Sequence, residues 1–120
     1  MRVGSKLQVK PGMKVCLLDA PSALELELPE GTTTTTKAAA ADAVVLFVTT
    51  RAELESRGRP VVEAARDDRL AWVAYPKARQ LGTDLNRDLL AERLLAKGLQ
   101  PVRQIAIDAT WSALRFRPGR

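Results

Sequence analysis

Histidine is missing from all 120 residues, and that absence excludes more chemistry than anything present suggests. Without an imidazole there is no Ser-His or Cys-His nucleophile pair, no histidine-bound zinc and no acid/base group already poised near neutral pH. One cysteine, Cys16, rules out an internal disulfide and a thiolate metal cluster. Its apolar neighbours Val15 and Leu17 read it as a small hydrophobe. Catalysis would fall to Asp, Glu, Lys or Tyr. The close carboxylates, Glu25 with Glu27 and Glu53 with Glu55, diverge around a helix at that spacing and cannot share a proton. The seven glycines form no P-loop, no nucleophile elbow and no calcium loop. No metal and no cofactor are expected, and these absences weigh against an enzyme.

Long apolar runs are lacking too. The longest stretch, "AAAADAVVLFV", is broken by Asp42, and the start, "MRVGSKLQVKPG", has basic residues with no apolar segment after them. Neither secretion nor a membrane span is expected, and the location reads as cytoplasmic. Residues 1–120 read as one domain with no repeat or linker. The formal charge is +5, from 19 basic against 14 acidic residues. The basic residues are scattered, which compositional bias or heat adaptation explains better than a nucleic-acid partner does. In the tail, "VRQIAIDATWSALRFRPGR", Arg115 and Arg117 alternate with Leu114 and Phe116. Period two puts the arginines on one sheet face, either simply solvated or forming a phosphate-binding strip.

Strands and helices alternate along the chain. A strand is expected at Met13–Asp19, then a short helical or irregular stretch at Pro21–Leu28, then an edge strand in "TTTTTK". "DAVVLFVTT" is apolar on consecutive positions, the mark of a strand covered on both faces. "RAELESRGRPVVEAARDD" reads as helix interrupted at Gly58 and Pro60. "LAWVAYP" is the next strand. "TDLNRDLLAERLLAKG" reads as a helix capped by Thr83 and stopped by Gly98. The remainder reads as an antiparallel hairpin turning near Asp108 to Trp111. The fold class is therefore α/β, a mostly parallel sheet of about six strands in the order 2-1-3-4-6-5 with a C-terminal antiparallel hairpin.

This order, with "WVAYPK" ending a strand and a capped helix ending "KGL", resembles the last part of the Rossmann-like fold of S-adenosylmethionine-dependent methyltransferases. The words "KPGMKVCLLDAP", "VVLFVTTRAELE", "LAWVAYPK", "TDLNRDLL" and "DATWSALRF" resemble more closely a family of small bacterial proteins catalogued as domain of unknown function 3052. The second resemblance spans nearly the whole chain and implies a fold rather than an activity. The first implies a methyl-donor site on a glycine-rich turn after the first strand and an acid after the second. Here the turn is "DAPSAL", without glycine and with Pro21, and the second strand runs into "TKAAAAD". Any inherited donor site is expected to be lost or remodelled. The resulting expectation is a non-catalytic binding or regulatory module, with a degenerate methyltransferase-like or nucleotide-binding enzyme as the alternative.

In an open α/β sheet, ligands bind beyond the carboxyl ends of the strands where their order reverses. That crevice would be flanked by Asp19, Ala20, Pro21 and Ser22 on one side and by Thr49, Thr50 and Arg51 on the other. Thr50 would cap the following helix, whose positive end favours an anion, and Arg51 would add a fixed charge. Tyr75 and Lys77 close "WVAYPK" at the same end. The site suits a small polar ligand with hydroxyl and anionic groups; the plainer alternative is an Asp19–Arg51 salt bridge over a closed crevice. Both long helices should pack on one sheet face, leaving the other to Pro21–Leu28 alone. That face, apolar around "VVLFV", leads to the expectation of a homodimer that buries it.

Overall fold

The computed structural model describes residues 7–21, 28–77 and 80–119. The strands are β1 (Lys14–Leu18), β2 (Thr33–Thr34), β3 (Ala43–Phe47), β4 (Leu70–Pro76), β5 (Leu99–Ala106) and β6 (Trp111–Pro118). The helices are α1 (Arg51–Arg57), α2 (Arg59–Arg66) and α3 (Arg87–Leu95). One sheet holds all six strands in the order β2-β1-β3-β4-β6-β5, as expected. The expectation of a mostly parallel sheet is too strong. The pairs joining β2, β1, β3 and β4 are parallel, but β6 enters antiparallel to β4 and β5 antiparallel to β6, so the sheet is mixed. The reason is local: only a four-residue turn, 107–110, separates β5 from β6, and a turn that short can only reverse the chain.

Each face has its own core. On one, Cys16, Val44, Leu46, Ala71, Val73, Leu114 and Phe116 pack against Leu54, Val61, Leu90 and Leu94, so all three helices lie on this side. Every residue of β3 and β4 is buried, as unbroken apolar strands require. The opposite face carries Val15, Val45, Phe47, Trp72 and Trp111. It is not thinly covered as the sequence suggested. Leu7 and Val9 are buried against it, and the Trp72 Nε1–H donates to the Leu7 carbonyl at 3.0 Å. Of the stretch Pro21–Leu28, residues 22–27 lie outside the described residues, and Leu28 packs against this same core. Because Val45, Phe47 and Trp72 are covered within a single chain, the apolar patch that motivated a homodimer is absent among the described residues.

Two further expectations need correction. The threonine run supplies only two strand residues before a 3-10 turn at Ala38–Ala40. And α3 is capped by Asn86, whose side-chain oxygen accepts from the Leu89 N–H at 2.8 Å, not by Thr83. Gly98, at φ +85°, ends that helical segment in the left-handed conformation that favours glycine. No helix among the described residues is long and apolar enough to cross a membrane.

Candidate functional site

The turn after β1 is made without glycine because Asp19 itself takes the left-handed conformation, at φ +59°. Asp and Asn tolerate this region better than most side chains, so the acid at the strand end serves the turn as well as the surface. Its carboxylate lies 3.6 Å from Arg57 Nη1, at the far end of α1, with both side chains about half exposed. Asp19 therefore pairs with Arg57, not with Arg51. Ser22 lies outside the described residues.

Across the crevice, β3 runs into α1 through Thr49 and Thr50. The Thr50 side chain caps α1 by accepting from the Glu53 N–H at 3.1 Å, as expected. Glu53 answers with Oε1, which accepts from the Thr49 N–H at 2.6 Å, a variant of the reciprocal capping box shifted by one residue. Changing Thr50 to Ala should therefore lower the urea-unfolding free energy by about 1 kcal/mol, with the m-value unchanged.

Asp84 supplies the contact that sequence reasoning missed. Its Oδ1 accepts from the Arg51 backbone N–H at 2.8 Å, and its Oδ2 accepts from Arg51 Nε at 3.2 Å. Beside it, the Thr83 hydroxyl donates to the Thr49 carbonyl and accepts from the Leu85 N–H. The loop between β4 and α3 is thus tied onto the start of α1. Two donors that an incoming anion would use, the Arg51 N–H in the first helical turn and the Arg51 Nε–H, are both taken by this carboxylate.

The electrostatics agree. The hydrogen bond from the Arg51 N–H, helped by that from its side chain, holds the Asp84 carboxyl below the ordinary aspartate range against the opposing desolvation. At the other end of the sheet the Arg117 side chain does the same for Asp68. A carboxylate whose folded pKa is depressed adds stability above its unfolded pKa, about 3.9, and that stability is lost as pH falls through the folded value. Stability should accordingly decline below about pH 4, and Asp84→Asn should flatten part of that decline in urea midpoints measured from neutral pH downward.

Tyr75 and Lys77 do not join this cluster. Tyr75 is buried in the helix-side core, where its hydroxyl accepts from Gln104 Nε2 at 3.3 Å and burial pushes its pKa up. Lys77 holds the hairpin turn instead: Nζ donates to the Asp108 carbonyl, and its N–H donates to the Thr110 carbonyl at 2.7 Å. The structure therefore gathers Thr49, Thr50 and Arg51 with Glu53, Thr83 and Asp84, links Asp19 to the same helix through Arg57, and leaves Tyr75 and Lys77 apart. The "TxxE" spacing of Thr50 and Glu53 was a readable signal. The Arg51–Asp84 contact, 33 residues apart, left none.

Two clefts lie elsewhere. One of about 280 Å³ is lined by Leu54, Glu55, Gly58, Arg59, Val62, Arg66 and Lys97, and one of about 320 Å³ lies where Leu95 and Leu99 meet Gly119. Among the described residues no group of three or more Cys, Asp or Glu side chains could hold a metal ion. No family model, no curated protein and no solved structure matches the chain.

Proposed function

We propose that the chain is a non-catalytic binding or regulatory module of the cytoplasm, with a Rossmann-like fold whose strand-end crevice is closed by its own side chains. The observation that carries this reading is Asp84 seated on the Arg51 N–H and guanidinium, where a bound phosphate or carboxylate would otherwise sit. The absence of histidine supports it, as does the structural employment of Thr50, Glu53, Asp19 and Lys77 in caps, ion pairs and turns. On this reading, membership in the family catalogued as domain of unknown function 3052 and the likeness to a truncated methyltransferase concern ancestry of the fold, not a retained methyl-donor site.

One observation favours the second reading, a remodelled methyltransferase-like or nucleotide-binding enzyme with a small polar ligand beside Asp19, Ser22, Thr49, Thr50 and Arg51. The Asp19 carboxylate, at the tip of β1, stays about half exposed and its 3.6 Å contact with Arg57 is loose enough to yield to a ligand hydroxyl. Urea unfolding of the full chain with S-adenosylmethionine, S-adenosylhomocysteine and common nucleotides separates the two. A ligand at a hundred times its dissociation constant adds about 2.7 kcal/mol. Curves that superimpose across the panel are expected; a stabilisation abolished by Asp19→Asn would show a ligand held at Asp19 and favour the second reading.

A further inference from the structure

The antiparallel ribbon gathers arginines at the end of the sheet opposite the crevice. Arg103 of β5 and Arg115 of β6 are directly opposed, and Arg115 is opposed in turn to Trp72, so all three share the face away from the helices. Arg117, two residues further along β6, lies on the same face. Like charges directly opposite one another destabilise a strand pair, so this register needs a compensating anion. Among the described residues one carboxylate meets this group directly. Asp68 accepts from Arg117 Nε at 2.8 Å and from Arg117 Nη2 at 2.9 Å, and that fork occupies both of its oxygens. Arg115 finds only a neutral acceptor: Nη1 donates to Gln8 Oε1 at 2.6 Å, while Nε is buried without a partner. The Arg103 side chain is exposed and makes no hydrogen bond or ion pair to a described residue. Partial burial, then the neighbouring Arg117 and Arg103 charges, work against the Arg115 cation, and the Asp68 carboxylate offsets them only in part.

We propose that Arg103 and Arg115 form a clamp for a phosphate group, held by guanidinium edges on the helix-free side of the β5–β6 ribbon, where Arg103 is exposed and Arg115 half-buried. Guanidinium forks match phosphate oxygens in geometry, and a doubly charged group answers an arginine pair that has no direct carboxylate partner among the described residues better than a carboxylate does. The phosphate is read without a base: all five aromatic side chains, Phe47, Trp72, Tyr75, Trp111 and Phe116, are buried, so no stacking platform borders the clamp. The same chemistry could come from a small phosphorylated molecule or from a nucleic-acid backbone. The inference does not depend on the crevice being closed, because it uses neither Asp84 nor α1.

The test compares the full chain with Arg103→Gln, and with Arg59→Gln as a control on the helix side, where Arg59 is solvent-exposed. Each is titrated with sodium phosphate against sodium chloride at equal ionic strength, and with a labelled 20-nucleotide oligouridylate. Phosphate is expected to raise the melting temperature above the chloride reference, with affinity weakened about tenfold or more in Arg103→Gln and unchanged in Arg59→Gln. If only the oligonucleotide binds, the source is a nucleic-acid backbone, and Arg103→Gln should reduce the salt slope by about 1. Equal responses to phosphate and chloride with no oligonucleotide binding, or equal losses in both variants, would overturn the clamp.

Discussion

Trp72→Ala is expected to destabilise the fold by about 3–5 kcal/mol, a large part of the 5–15 kcal/mol typical of a domain this size. The side chain is fully buried at the centre of the face away from the helices, between Val45 of β3 and Arg115 of β6. Its removal opens a cavity among Val45, Phe47 and Trp111 and also leaves the buried Leu7 carbonyl without its donor. Trp72→Phe separates the two effects, because it keeps most of the apolar volume and loses chiefly the indole N–H. It should cost about 1–3 kcal/mol, the penalty of an unsatisfied buried carbonyl plus a small void. Urea unfolding followed by circular dichroism measures both. A cost below about 1 kcal/mol for the alanine variant would show that the Leu7–Val9 segment does not close this face.

Gly58→Ala should also destabilise, although alanine is the better helix former. At Gly58 the backbone is in the right-handed helical region, φ −75° and ψ −15°, so no conformational rule demands glycine. Close approach does. A Cβ there would stand 2.5 Å from the Leu54 carbonyl oxygen, a backbone atom that cannot move without shifting α1. That contact arises because the chain breaks between α1 and α2, with Pro60 in the first turn of α2 unable to donate back across the junction. Alanine returns up to about 1 kcal/mol of helix propensity, and overpacking costs about 1–3 kcal/mol. The clash prevails, and a lowered thermal midpoint is the expected result. An unchanged or raised midpoint would mean that α1 and α2 can repack as one helix.

The sheet was legible where local pattern and global topology agree. "AVVLF" and "LAWVAYP" are unbroken apolar runs and became strands buried at every position. The alternation of Leu114 and Phe116 with Arg115 and Arg117 sorted β6 correctly, the apolar pair into the helix-side core and the arginines onto the other face. Failures came where a residue had two local roles and a distant contact chose between them. Thr83 and Asn86 are both good caps, and Thr83 was drawn away by the Thr49 carbonyl. Arg51 and Asp19 were read as facing partners, but Asp84 and Arg57 reach them first. The cover over Trp72 comes from Leu7 and Val9, in a segment too short and too basic to show an apolar period.

The occupation of the α1 N-terminus by Asp84 is the point on which the crevice reading turns, and the Arg51 amide reports on it directly. An N–H in the first turn of a helix has no intrahelical acceptor and ordinarily exchanges freely with water. Nuclear magnetic resonance of the full chain should show the Arg51 amide protected from exchange at neutral pH. Its shift should titrate with a carboxyl group below the ordinary aspartate range; the titration should vanish in Asp84→Asn, which keeps an acceptor oxygen but no charge, and the protection in Asp84→Ala, which keeps neither, while the fold persists. An Arg51 amide that exchanges freely, or whose protection is unchanged in Asp84→Ala, would contradict the closed crevice.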